Sequence, residues 1–218
     1  MISSRISNII SDPLSLLYTI PGILIGLTVH EWAHAFVAYK LGDPTAKDQG
    51  RMTLNPFAHL DLFGILCLLF VGFGWARPVP VNPRNFKNYR RDDILVSIAG
   101  ICMNLITAFV FMIMLCLGVF KWRLGNNDAF YSIISSIVAI NLSLAVFNLI
   151  PIYPLDGSHV FDSLLMNKIP KVCMFLHKYG QYILIALLVF GIVSSVLGTV
   201  VNWLWNIFLR AALWIIGL

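Results

Sequence analysis

The chain has 218 residues, of which 59% are hydrophobic and only 11% charged, with a formal net charge of +5 and a mean hydropathy of +0.83. Soluble domains carry about 25% charged residues, so this composition excludes an ordinary water-facing surface and places much of the chain in a bilayer. The length suits one domain of several spanning helices and leaves no room for a sizeable soluble module.

In chain order, residues 1–12 form a short polar lead with Arg5 and Asp12. An apolar run from Pro13 to Leu41 follows, long enough at ~1.5 Å per residue to cross a core of ~30 Å. Gly42-Asp43-Pro44 stops it. Residues 43–61 are mixed and polar. Leu62 to Trp75 is apolar but short and broken by Gly64, Gly72 and Gly74, and the stretch from Arg77 to Pro83 alternates proline with valine. Asp92-Asp93 opens a long apolar stretch, Ile94–Phe120, with an acidic first turn that suits a helix N-terminus. Ala129–Ile150 is another spanning candidate, ended by Pro151 and Pro154. Residues 157–178 read as amphipathic and interfacial, Tyr179–Thr199 as a further span, and 200–218 as a segment that either spans or lies along the interface. The expected fold is an all-α polytopic membrane protein of four to six transmembrane helices, with a re-entrant or hairpin segment near 62–83. Residues 1–218 form a single domain in this reading, with a catalytic core at about 13–165 and C-terminal helices at 179–218.

The positive charge does not point to nucleic acid. Arg77, Arg84, Lys87, Arg90 and Arg91 form one cluster and Lys168, Lys171 and Lys178 another, both between apolar runs. That is the pattern of cytoplasmic loops. Cys67, Cys102, Cys116 and Cys173 form no CxxC pair, so neither a disulfide framework nor a cysteine metal site is expected.

His30-Glu31-Trp32-Ala33-His34 lies inside the first apolar run. Four residues apart on a helix, both imidazoles project from one face and can bind one zinc ion. Glu31 stands beside them, placed to take a proton from water that zinc brings to a pKa of about 7. Two histidines and a glutamate in a membrane helix are costly to bury, which favours a functional site over a polar helix–helix contact. A catalytic zinc needs a third protein ligand and an open position. His59, His159, His177 and the remaining carboxylates are available. Asp156 is best placed, because Pro151 and Pro154 break the helix before it and Gly157 frees the turn after it. The plain alternative is an Asp-Gly turn with Asp156 capping the next helix.

HEWAH in an apolar helix, followed by Asn148-Leu149-Ile150-Pro151-Ile152-Tyr153-Pro154-Leu155-Asp156-Gly157 at the end of a later one, resembles the site-2 protease family of intramembrane zinc metalloproteases. Asn55-Pro56-Phe57-Ala58-His59-Leu60-Asp61 and Gly74-Trp75-Ala76-Arg77-Pro78-Val79-Pro80-Val81-Asn82-Pro83 match as well. The resemblance covers roughly residues 20–165 and is to the compact branch without PDZ or CBS modules. It implies one zinc ion per chain on His30, His34 and Asp156, and Glu31 as general base. It also implies a role for the Asn148 amide in holding substrate or the oxyanion, against the alternative of a helix–helix hydrogen bond. Where many relatives carry Gly-Arg or Gly-Gly after Asp-Gly, this chain has Ser158-His159.

One zinc ion on these ligands constrains the topology. His34 is near the C-terminal end of its helix, and Asp156 follows the C-terminal end of Ala129–Ile150. Both ends must therefore share a side of the bilayer. Ile94–Phe120 and Ala129–Ile150 are two crossings, so Leu62–Trp75 should not cross. Residues 40–91 hold eight basic residues and 121–128 two, which places the zinc side at the cytoplasm and residue 13 outside. The expected activity is hydrolysis of peptide bonds within or near transmembrane segments of membrane-protein substrates, in the plasma membrane of a prokaryote. Val79-Pro80-Val81 offers an extended edge for the unwound substrate, or else a rigid proline-rich loop, and His59 is a further candidate for substrate contact. Asn55, Asn82 and Asn104 are candidates for a polar path to the zinc. A homo-oligomer or a regulatory membrane partner is left open. The rival functions are an inactive scaffold for transmembrane partners and a transporter, for which no internal repeat is visible.

Overall fold

The computed structural model describes residues 13–70 and 74–218; the polar lead at 1–12 lies outside the described residues. The elements are α1 (Pro13–Lys40), α2 (Thr45–Asp48), a 3-10 turn (Pro56–Ala58), α3 (Leu62–Phe70), a second 3-10 turn (Pro83–Asn85), α4 (Tyr89–Phe120), α5 (Asp128–Asn148), α6 (Asp156–Leu165), α7 (Pro170–Val189) and α8 (Ile192–Ile216). No strand occurs among the described residues. Five helices (α1, α4, α5, α7 and α8) are long and apolar enough to cross a membrane. The expected all-α polytopic architecture is what the chain adopts.

α1, α4 and α5 pack against one another to form the centre, and α8 leans on α4 and α5. The close approach of α1 to α5 depends on Gly22 and Gly26, four apart on one face. A Cβ on Gly22 would lie 3.1 Å from the Ser136 carbonyl, and one on Gly26 would lie 2.8 Å from Leu144 Cδ1. Small residues at a membrane helix interface allow such contact. The main apolar core joins Ala108, Met112 and Leu115 of α4, Ile137, Val138 and Leu142 of α5, and Ala212 of α8. Apolar residues are equally common on the outside: Val189, Phe190, Trp203 and Trp214 are all exposed, as expected where lipid is the solvent.

α3 has nine residues, about 13 Å of helix, far short of a span. Trp75 returns alongside it, because the Trp75 carbonyl occupies the space a side chain on Gly64 would need. Leu62–Phe70 is therefore too short to cross and Trp75 packs back against it, in keeping with the topology argument; residues 71–73 lie outside the described residues.

The C-terminal third differs from the sequence reading. Residues 157–178 are not one interfacial segment. α6 ends at Leu165 and α7 starts at Pro170, where proline's fixed φ suits the first helical turn. Nor do 179–199 form one span. The chain breaks at Gly191, which has φ +74°, a left-handed conformation that glycine adopts without penalty. α8 then runs 25 residues to Ile216, long enough to span, so the C-terminal helices cover 170–216 rather than 179–218.

Candidate metal centre

His30 and His34 stand on α1, and Asp156 is the first residue of α6. The fold brings them together. His30 Nε2 and His34 Nε2 are 3.0 Å apart, and Asp156 Oδ2 lies 3.1 Å from the first and 3.3 Å from the second. These are the only three His, Cys, Asp or Glu residues among the described residues that converge closely enough to hold a metal ion. Zinc bonds of 2.0–2.1 Å at tetrahedral angles put neighbouring donor atoms about 3.3 Å apart, so the triangle has the size of one tetrahedral face.

The hydrogen bonds behind the ligands fix which nitrogen faces inward. Asn141 Nδ2 donates to the Ile137 carbonyl at 2.8 Å, which leaves Asn141 Oδ1 to accept from Asn104 Nδ2 at 2.9 Å. Asn104 Nδ2 also donates to the Gly26 carbonyl at 3.0 Å. Asn104 Oδ1 must then face His30, and it accepts from Nδ1 at 2.7 Å. His34 Nδ1 donates to the Val96 carbonyl at 2.7 Å. With both Nδ1 atoms carrying protons, both Nε2 atoms present lone pairs to the centre. Asp156 Oδ2 is buried with no donor of its own. Three acceptors facing one point require a cation, so the donor set fits zinc.

Space for the rings comes from Gly100 on α4. A Cβ there would lie 2.5 Å from His34 Nε2 and 2.6 Å from His30 Cε1. Glu31, also buried, points to the 74–82 segment, where the Val79 N–H donates to Oε2 at 2.8 Å. Arg51 Nη2 holds that segment by the carbonyls of Arg77 (2.8 Å) and Pro78 (3.2 Å), and Asp43 holds its far end by accepting from the Asn82 N–H at 2.7 Å.

Other sequence candidates are placed differently. Asn148 donates its amide to the Leu144 carbonyl of its own helix at 3.0 Å. His59 is fully buried, donates from Nε2 to the Thr53 carbonyl at 2.8 Å and offers its own carbonyl to the Arg77 N–H at 2.8 Å, which makes it a tether for the 74–82 segment. Asn55 and Asn82 cap the two 3-10 turns, whereas Asn104 belongs to the His30 chain. His159 meets Asp93 at 3.7 Å; that contact, working against burial, raises its pKa. His177 sits near Asp162 at 3.5 Å. Asn141, Gly100 and the Val96 carbonyl were not among the sequence candidates. Their roles depend on how α4 and α5 are rotated toward α1, which no local pattern reveals.

Comparison with known proteins finds zinc metalloproteases. The profile described as Peptidase family M50 matches residues 116–191, which include Asp156. The chain is 44% identical to "Putative zinc metalloprotease YwhC" of Bacillus subtilis over 197 residues, 87% of this chain and 89% of that protein. It is 31% identical to "Putative zinc metalloprotease Rip2" of Mycobacterium tuberculosis, covering 86% of this chain and 73% of the relative. It is 23% identical to "Zinc metalloprotease MJ0392" of Methanocaldococcus jannaschii, over 79% of this chain and 42% of that protein. No solved structure matches significantly.

Proposed function

The chain belongs to peptidase family M50, the site-2 protease family, and on that premise we propose that this membrane zinc metalloprotease cuts peptide bonds within or next to transmembrane segments of membrane-protein substrates. The observation that carries the proposal is the triangle of acceptors on His30, His34 and Asp156, two on spanning α1 and one at the start of α6, which follows spanning α5. Buried Glu31 follows the first histidine.

His30, His34 and Asp156 hold the metal in this reading. Zinc, when bound, supplies Lewis-acid polarisation of the scissile carbonyl and acidifies water. Glu31 takes a proton from the attacking water as its oxygen adds to the carbonyl carbon. As the C–N bond breaks, Glu31 passes that proton to the departing amine nitrogen. The Val79 N–H engages Oε2 and so keeps the carboxylate oriented while leaving lone pairs for the proton. A substrate helix hides its carbonyls in its own hydrogen bonds and must unwind first. Val79-Pro80-Val81, which lies outside any helix, offers the freed strand an edge to pair with. Asn148 reaches the substrate or oxyanion in this reading by leaving its bond to Leu144.

Residues 1–218 act as one integral-membrane domain, with the metal centre on the cytoplasmic side of a prokaryotic plasma membrane. The eight basic residues at 40–91 against two at 121–128 support that orientation. The scaffold and transporter readings have no observation of their own in favour, since an inactive scaffold would lack a ligand or the base. Zinc analysis of the purified protein and of Glu31→Gln decides among them. Retained zinc with lost cleavage supports the protease, and a parent without zinc overturns it. Membrane proteins whose cut forms vanish in a Glu31→Gln strain would identify the substrates.

A further inference from the structure

α4 offers no donor to the triangle, yet one of its faces serves both ligands from α1. Val96 accepts from His34, Gly100 clears space for both rings, and Asn104 orients His30. These residues are spaced four apart, along one side of the helix. One turn earlier the same side carries Asp93, a buried carboxylate that the mechanism does not use.

Its neighbour Asp92 is consumed locally. Asp92 Oδ2 accepts from the Asn88 N–H at 3.0 Å and so completes the cap of α4. Asp93 reaches outward instead. Its Oδ2 accepts from Ser163 Oγ at 3.2 Å and lies 3.7 Å from His159 Nδ1. His159 and Ser163 are four apart on α6, so one carboxylate grips one face of that helix, and α6 begins at Asp156.

We propose that Asp93 is a positioning residue for the metal centre: it docks α6 onto α4 through Ser163 and His159 and thereby holds Asp156 against His30 and His34. This rests on the reading that those three residues bind zinc. α6 needs such a tether. It has ten residues and no side-chain cap at Leu155, and helices that short are marginal alone. Only Gly157 and Ser158 in it are buried. A cavity of about 690 Å³ lies behind it, lined in part by Asp93, His159, Asp162, Ser163 and His177, so close apolar packing does not hold that side. Asp162 also meets His177, whose imidazole is 58% exposed, and Arg90 of α4 donates to Asn167 just past the helix at 2.7 Å in an exposed bond; exposure makes both weaker tethers. α4 is thus the template on which all three ligands are set, two directly and Asp156 through α6.

Zinc affinity tests this without a substrate. The full-length protein, purified in detergent, would be titrated with zinc against a chromophoric chelator, and its cobalt-substituted form followed by visible absorption. The parent binds one zinc and His30→Ala none. Asp93→Ala weakens zinc about tenfold or more, in the range seen when groups that orient ligands are removed, and it alters the cobalt spectrum. Asp92→Asn, which weakens the cap of the same helix, lowers the melting temperature but leaves zinc affinity and the cobalt spectrum unchanged; a merely structural role for Asp93 would make the two variants alike. Parent-like zinc affinity and cobalt spectrum in Asp93→Ala overturn the proposal. If Asp93→Ala does not fold, Ser163→Ala decides by the same criteria. A parent that binds no zinc, or His30→Ala that still binds it, removes the ligand reading and this proposal together.

Discussion

The backbone N–H of Val79 donates to Oε2 of Glu31 across 2.8 Å, joining a proline-flanked segment to the carboxylate beside the metal-facing histidines. The segment reaches this register because Arg51 grips its carbonyls on one side of Val79 and Asp43 accepts from Asn82 on the other. Prolines at 78 and 80 offer no N–H, so Val79 is the donor that this stretch presents to Glu31.

Replacing Val79 by proline deletes that donor. A hydrogen bond to a charged group contributes about 1.5–3 kcal/mol, so kcat for a model substrate should fall by roughly tenfold to a hundredfold. Zinc content should match the parent, because no ligand is touched. Metal analysis with a cleavage assay in detergent checks both parts; loss of zinc along with activity would mean that Val79 supports the fold rather than the base.

Gly100→Ala places a methyl group within 2.5–2.7 Å of atoms on both imidazoles. Neither ring can retreat freely, since His30 is held by Asn104 and His34 by the Val96 carbonyl. Overpacking of this kind costs about 1–3 kcal/mol, and here it falls on the ligands themselves. Zinc affinity should drop by at least tenfold while circular dichroism keeps the helical signal. Equilibrium competition with a chelator measures it, and unchanged affinity would show that α4 moves away at little cost.

His30, Glu31 and His34 were legible in the sequence because spacing on a single helix fixes relative direction. Asp156 was legible only as the best-placed carboxylate with family resemblance behind it, since its approach depends on where α6 docks. The helix that organises the centre was not legible as such. Gly100 looked like any glycine in a membrane helix, and Asn104 like a lone polar residue, because their meaning lies in the rotation of α4 about its axis. Helix boundaries failed for a related reason. In a run from Pro170 to Ile216 that is apolar nearly throughout, hydropathy alone cannot place the start at Pro170 or the break at Gly191, which are set by backbone geometry.

Asn104 and Asn141 should act as a unit. Removing Asn104 frees His30 to flip its tautomer and leaves the Asn141 carbonyl oxygen without its donor. Removing Asn141 leaves Asn104 still anchored on the Gly26 carbonyl. Asn104→Ala should therefore weaken zinc binding about tenfold to a hundredfold, Asn141→Ala by clearly less, and the double variant by less than the product of the two. Zinc titrations of the four proteins complete the cycle; strictly multiplicative effects would mean that the two amides act independently on His30.

Five spanning helices with the metal centre on one side make a definite topology. α1 ends and α4 begins on the metal side, because His34 and Val96 meet there, and α5 ends there too, because Asp156 follows it. α3 is too short to alter this. The turn between α4 and α5 must then lie on the opposite side. If α7 and α8 both cross, as their 20 and 25 residues allow, the chain returns to the metal side by residue 218. Lys168 and Lys171, between α6 and α7, add to the positive charge at that same end. Reporter fusions should thus read cytoplasmic near residue 85, external near residue 125 and cytoplasmic after residue 218. An external reading at 85 would invert the whole layout. An external reading at 218 alone would leave the centre in place and show that one of α7 and α8 does not cross.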